Sequence, residues 1–292
     1  MKCKNNFFGG KSLPEISFTG KELEELALEN TNMGLSITGV QRKLSLHLSS
    51  DKPARLTLVG YPAGYILKPQ SDEFSQLPEA EDLVMDIAEM MGAKVVPHGL
   101  IDTPIGLSYI CGRVDRAEEG KLAMEDFCQL SGRLTEDKYK GSYEKCAAII
   151  REYSSRLGFD LSEFFLRLVI CFVTGNSDMH LKNFSMMETE PGSRVYCLAP
   201  AYDLLPVNLV MPEDTEETAL TLNGRKSRLS RRDFTEFAEN IKLTNRVATR
   251  LLDEVITKSD RAIELCETSQ LRGEAKQRMK GLIRERAERL KQ

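Results

Sequence analysis

Asp178 and Asn183 stand five positions apart in the stretch NSDMHLKNFS, and Asp203 follows twenty positions later in APAYDLLP. A loop carboxylate can accept or orient the proton of an attacking hydroxyl. An amide oxygen and a second carboxylate are hard oxygen donors of the kind that hold magnesium against nucleotide phosphates. The trio therefore points to phosphoryl transfer, with Asp178 as base and Asn183 and Asp203 as metal ligands. Two short apolar runs, FSMME and VYCLAP, flank TEPGS and predict a hairpin that brings the two metal-holding segments together.

The upstream half of the chain carries parts that complement this chemistry. The stretch GLSITGVQRK contains a turn, with Gly39, Val40 and Gln41 at its centre, whose backbone N–H groups can cradle phosphates. Lys68 of YILKP can hold the α and β phosphates, and Glu79 or Glu81 on the following helical run can pair with it. CGRVDR offers extended backbone for an adenine edge and Asp115 for a ribose. Each piece alone is a weak signal, because a D-x-x-x-x-N or a strand lysine is common. Their order along the chain is what carries the reading.

The elements that must position these residues follow from periodicity. ARLTLVG, GYILKPQ, VVPHGLI and LSYICGRVD read as strands, and LSITGVQRKLSLHLSS as strands broken at Gly39. TGKELEELALEN reads as a capped helix, and LPEAEDLVMDIAEMMG places Leu83, Val84, Ile87, Ala88 and Met91 on one helical face. From Leu122 onward LAMEDFCQLSG, SYEKCAAIIREYSSRLG and LSEFFLRLVICFVTG read as helices, the last stopping at Gly175, and the C-terminal third is helical again. The expected class is α+β, a two-lobed protein-kinase-like fold with a small β-rich N-lobe over residues 1–116 and a larger helical C-lobe over 117–292.

Composition bounds the remaining classes. The 292 residues carry a net charge of only −4, which does not indicate general polyanion binding, and two fifths of them are apolar, enough for a sizeable core. Seven cysteines, odd in number and never in a C-x-x-C pair, read as reduced thiols in a cytoplasm. No signal peptide is expected at the N-terminus, and the longest apolar run, LVICFV, is too short to span a bilayer.

Taken together, SITGVQRKLSL, YILKP, the helix with Glu81, RVDR, NSDMHLKNFS and LAPAYDLLP resemble the HipA-type serine/threonine kinases, toxins of bacterial toxin–antitoxin systems. The resemblance runs from about Ser36 to Pro206. It implies ATP and Mg2+ as cofactors, Lys68 on the ATP phosphates and Asp178 as base. It also implies Asn183 and Asp203 on magnesium, and His180 and Lys182 beside the phosphates. Gly112, Val114 and Asp115 would meet the base and sugar, although Gly112 stands where an acidic residue is common. Ser36 matches the family's autophosphorylated serine, and Thr38 supplies the second hydroxyl of a doubly modifiable turn. With only about 35 residues before that turn, the chain resembles the short, HipT-like form whose N-terminal subdomain is a separate polypeptide. Implied partners are a helix-turn-helix antitoxin of HipB type, a HipS-like subdomain protein and a protein substrate such as an aminoacyl-tRNA synthetase. DNA would be reached only through the antitoxin.

Other readings compete. An aminoglycoside- or choline-type small-molecule kinase shares a D-x-H-x-x-N pattern, and a nucleotide-binding co-repressor without activity would keep the same motifs. His47 and His98 show no sequence partner and read as structural. RKSRLSRR at 225–232 and the basic C-terminal helix invite a DNA contact, though mixed Glu and Arg at helical spacing also describes a solvated face. The cysteines at 128, 146 and 171 fall on apolar helix faces and read as unreactive.

Overall fold

The computed structural model describes residues 7–8, 14–22, 43–50, 53–59, 63–71, 73–117 and 120–292. Ser36, Thr38, Gly39, Val40 and Gln41 lie outside the described residues. The chain divides into two compact units, residues 1–82 with 96–114, and residues 83–95 with 115–292.

The first unit is built on a six-stranded sheet from β1 (Glu15–Ile16), β2 (Leu44–Leu48), β3 (Arg55–Val59), β4 (Tyr65–Lys68), β5 (His98–Thr103) and β6 (Gly106–Gly112). The strand order is β1-β3-β2-β4-β6-β5, antiparallel throughout except for the β1–β3 edge. Alternation in LSLHL buries Leu44 and Leu46 while His47 is exposed, as period-two patterning requires. Leu44, Leu46, Leu56, Leu67, Ile101, Ile110 and Phe18 form one apolar cluster on this sheet. β4 is paired on both sides, by β2 and by β6 (Lys68 opposite Tyr109), which fixes the backbone that carries Lys68. Between β1 and β2, Thr19 and Glu22 cap each other's backbone where a helical turn starts at Gly20, in agreement with the capped helix read from TGKE.

Helix α1 (Leu77–Met91) buries Leu83, Val84, Ile87, Ala88 and Met91, the face its spacing predicts, and stops at Gly92 with φ 108°. β7 (Arg116–Ala117) and β8 (Gly120–Lys121) form a small ribbon. The second unit is mostly helical. After β9 (Met124–Asp126) and α2 (Phe127–Leu130) come α3 (Tyr143–Tyr153) and α4 (Leu157–Thr174). The hairpin β10 (Ser185–Glu188) and β11 (Tyr196–Leu198) follows. Then come α5 (Val207–Val210), α6 (Arg231–Asn240), α7 (Asn245–Thr268) and α8 (Gly273–Arg289). α4 is buried almost all round, and Phe164, Phe165 and Phe172 meet Phe234 and Phe237 of α6 at ring separations of 5.3–6.4 Å. α8 lies against both α4 and α7.

Two helical expectations need correction. Met124–Asp126 is a strand, because it pairs with Ser185–Met187 of β10, and helix begins only where the Asp126 side chain caps Gln129 N–H. The run SYEKCAAIIREYSSRLG is not one helix. Ser154 turns extended, its hydroxyl donates to Asp160, and the last three residues of that run lead into α4, which starts at Leu157.

Candidate functional site

In the first unit, Lys68 Nζ lies 2.5 Å from Glu81 Oε1, with both side chains buried. Of the two glutamates left open by sequence, Glu81 holds the lysine, and Glu79 accepts instead from Gln70 at 2.9 Å. The ammonium also stands 5.4 Å from the centre of the Tyr109 ring. His98 is not partnerless, since its Nδ1 lies 3.0 Å from Asp82 Oδ1, a carboxylate 16 positions upstream. Gly112 closes β6 opposite Tyr65, its N–H donates to Pro97 C=O at 2.8 Å, and Val114 is half-buried.

In the second unit the loop after α4 is held through its backbone. Gly175 caps the helix in the left-handed region at φ 73°, and its N–H reaches the carbonyls of Cys171 and Phe172. A Cβ at Gly175 would overlap Leu282 of α8. The Asp178 carbonyl accepts from His180 N–H at 2.8 Å and from Asn183 Nδ2 at 2.8 Å, which folds the five-residue spacing into a closed turn. Asn183 is buried, and no hydrogen bond among the described residues uses its Oδ1. Ser177 adds a hydrogen bond to Asp214 at 2.7 Å.

The predicted hairpin is present, with Met186 opposite Leu198, and β9 extends it to three strands. At its far end the Tyr202 hydroxyl donates to Lys182 C=O at 3.0 Å and accepts from the Ser185 hydroxyl at 2.6 Å. These contacts tie Tyr202, the residue before Asp203, to the segment around Asn183. Asp203 has φ 61°, an uncommon backbone state for a residue with a side chain. Oxygen donors of this type, an amide oxygen and a carboxylate, suit magnesium.

The remaining candidates have contacts of their own. Lys182 lies 3.6 Å from Asp126 and 3.3 Å from Thr135, so its charge is tied to the start of α2. His180 is buried, with its ring edge-on to Tyr139 at 5.1 Å. Asp115 is buried and its Oδ2 lies 2.6 Å from Arg116. The basic run at 225–232 is largely matched by acids, Arg225 with Asp233, Lys226 with Glu216, Arg231 with Asp253 and Arg232 with Glu236, which weakens the DNA reading. Cys128, Cys146 and Cys171 are buried, and burial pushes the Cys171 thiol up to about 12, consistent with inert thiols.

Sequence reasoning missed Tyr139. Its hydroxyl donates to Asp178 Oδ1 at 2.7 Å. Partial burial, and then that carboxylate, push the phenol well above its ordinary range, so it remains a protonated donor.

Comparison with known proteins adds a family. Residues 35–263 match the model of the HipA-like C-terminal domain. This chain belongs to the HipA-like family. Within it, the chain is 32% identical over 237 residues to the Sinorhizobium fredii protein named "Putative kinase Y4dM", covering 76% of this chain but only 57% of that protein. It is 28% identical over 288 residues to a Haemophilus influenzae protein named "Putative kinase", covering 88% and 81%. The fold resembles Shewanella oneidensis HipA, solved with HipB and its operator DNA, at TM-score 0.73 and 18% identity over 87% of this chain and 65% of that one. It also resembles the Helicobacter pylori proinflammatory kinase CtkA, at TM-score 0.55 and 16% identity over 80% and 87%. The HipA-like fold is thus α+β, a β-rich unit and a helical one. Among the described residues, no helix is long and apolar enough to cross a membrane.

Proposed function

We propose that this HipA-like chain is an ATP- and Mg-dependent kinase that transfers the γ-phosphoryl group to a serine or threonine hydroxyl of a protein. The observation that carries the reading is the Asp178–Asn183 turn. Donation of Asn183 Nδ2 to the Asp178 carbonyl orients the amide so that its oxygen is left for a ligand, five residues from a half-buried carboxylate. In this reading Asp178 accepts the proton of the acceptor hydroxyl as that oxygen bonds to phosphorus. Asn183 and Asp203 would hold magnesium, which supplies charge neutralisation at the phosphates when bound. Lys68, held by Glu81, would take the α and β phosphates. Gly112 and Val114 would meet the adenine through their backbone.

Family membership supports a finer reading. The chain would act as the toxin of a HipBA- or HipBST-like system, phosphorylating a translation protein such as an aminoacyl-tRNA synthetase and modifying its own Ser36 and Thr38. A HipB-type antitoxin is supported by the partner present in the Shewanella complex. The test uses labelled ATP with wild type, D178A and D203A, with mass spectrometry at Ser36 and Thr38 and growth measured on expression. Phosphate transfer and growth arrest in wild type alone are expected. Transfer undiminished in both variants would defeat the kinase reading.

A further inference from the structure

We propose that Tyr139 is a positioning residue for the Asp178 carboxylate. The inference rests on the kinase reading and extends it to a residue on a separate segment, 39 positions upstream of the carboxylate. An aspartate side chain on a loop can turn about two torsions, and Asp178 is only half-buried. The Tyr139 hydroxyl, 2.7 Å from Oδ1, removes that freedom and leaves the orientation of the other oxygen defined.

The phenol is 46% exposed, and neighbours hold it on its protein-facing side. The His180 ring stands edge-on to it with planes 77° apart, and Lys138 Nζ sits 4.9 Å from its centroid. Its backbone is tied to the same loop, because Leu181 N–H donates to Lys138 C=O at 3.1 Å. A 3-10 turn at Thr135–Asp137 precedes it, and Lys182 reaches back to Thr135. Phenol and carboxylate thus share one hydrogen-bonded frame spanning residues 135–139 and 178–182.

The proton accounting assigns the roles. During transfer the acceptor O–H gives its proton to Asp178, the acceptor oxygen bonds to the γ-phosphorus, and the bond from that phosphorus to the ADP oxygen breaks. Tyr139 keeps its proton throughout and acts only by holding the carboxylate.

The test measures phosphate transfer from labelled ATP to myelin basic protein and to the chain itself, in wild type, Y139F, D178A and the double variant. Phe keeps the ring against His180 and removes only the donor. We expect Y139F to lower kcat roughly ten- to a hundredfold, the scale of one hydrogen bond to a charged group. KM for ATP and the melting temperature should stay at wild-type values. In the D178A background the same change should have no further effect, since its action runs through the carboxylate. Unchanged or faster transfer by Y139F overturns the proposal, as does an equal fold-loss in the D178A background or a fall in melting temperature matching the lost rate. No transfer by wild type to either acceptor would instead sink the kinase reading, and this proposal with it.

Discussion

Lys68 and Glu81 form a buried ion pair at 2.5 Å, their side chains 4% and 0% exposed, one on a doubly paired strand and the other on α1. Removing both charges from water is expensive, so such a pair contributes little net stability while intact and leaves a costly orphan when halved. Lys68→Met should therefore destabilise the chain by about 3–5 kcal/mol. The double variant K68M/E81L should recover much of that loss in denaturant melts. Neither should transfer phosphate. A double variant as unstable as the single one would show that the pair is held for its packing and not for its charge balance.

Asp203 carries φ 61°. Glycine adopts this conformation freely, while a residue with Cβ pays about 1 kcal/mol for it. Asp203→Gly should stay within about 1 kcal/mol of wild-type stability, because relieved strain offsets the added freedom of the unfolded chain. Magnesium-dependent phosphate transfer should nonetheless fall by at least ~100-fold. Retained transfer would remove Asp203 from the site.

Gly175 combines a left-handed φ of 73° with α8 close above it. Gly175→Ala faces both the backbone penalty and overlap with Leu282, for a loss of about 2–4 kcal/mol. Truncating Leu282 to Ala in the same chain should restore the overlap part only. Thermal melts of Gly175→Ala, Leu282→Ala and the double variant separate the two contributions.

Glu188 accepts backbone N–H groups from Ala123 at 3.1 Å, Arg194 at 3.0 Å and Gly192 at 3.3 Å, and these donors hold its carboxyl below the usual range. A carboxyl lowered on folding stabilises above its unfolded value, about 4.3, and that contribution is lost as pH falls through the lower folded value. Glu188→Gln should be less stable than wild type at pH 7, with the gap narrowing below about pH 4. A gap that is constant with pH would mean the ionised form is not what these amides favour.

Sequence legibility tracked the range of the interaction. α4 was readable because its own residues, Leu161 to Val173, repeat at helical spacing and are buried as that spacing requires. The hairpin was readable because turn residues lie between two short apolar runs. Met124–Asp126 was not, since three residues show no period and become a strand only by pairing with residues some sixty positions on. The Glu79 and Glu81 alternatives differ by two positions on one helix, and the choice depended on where β4 ends. Tyr139 and the Asp82–His98 contact were invisible for the same reason, as each joins side chains from separate segments with no shared motif.

β10 is bordered on one side by β11 and on the other by β9. An amide at the middle of such a ribbon trades its hydrogen for deuterium only when flanking ladders open, so β10, which starts two residues after Asn183, is expected among the late-opening segments of the chain. The segment proposed to hold the metal is therefore joined to a strand paired on both sides, whose amides are expected to exchange slowly, and substrate entry would draw its motion from other parts of the molecule.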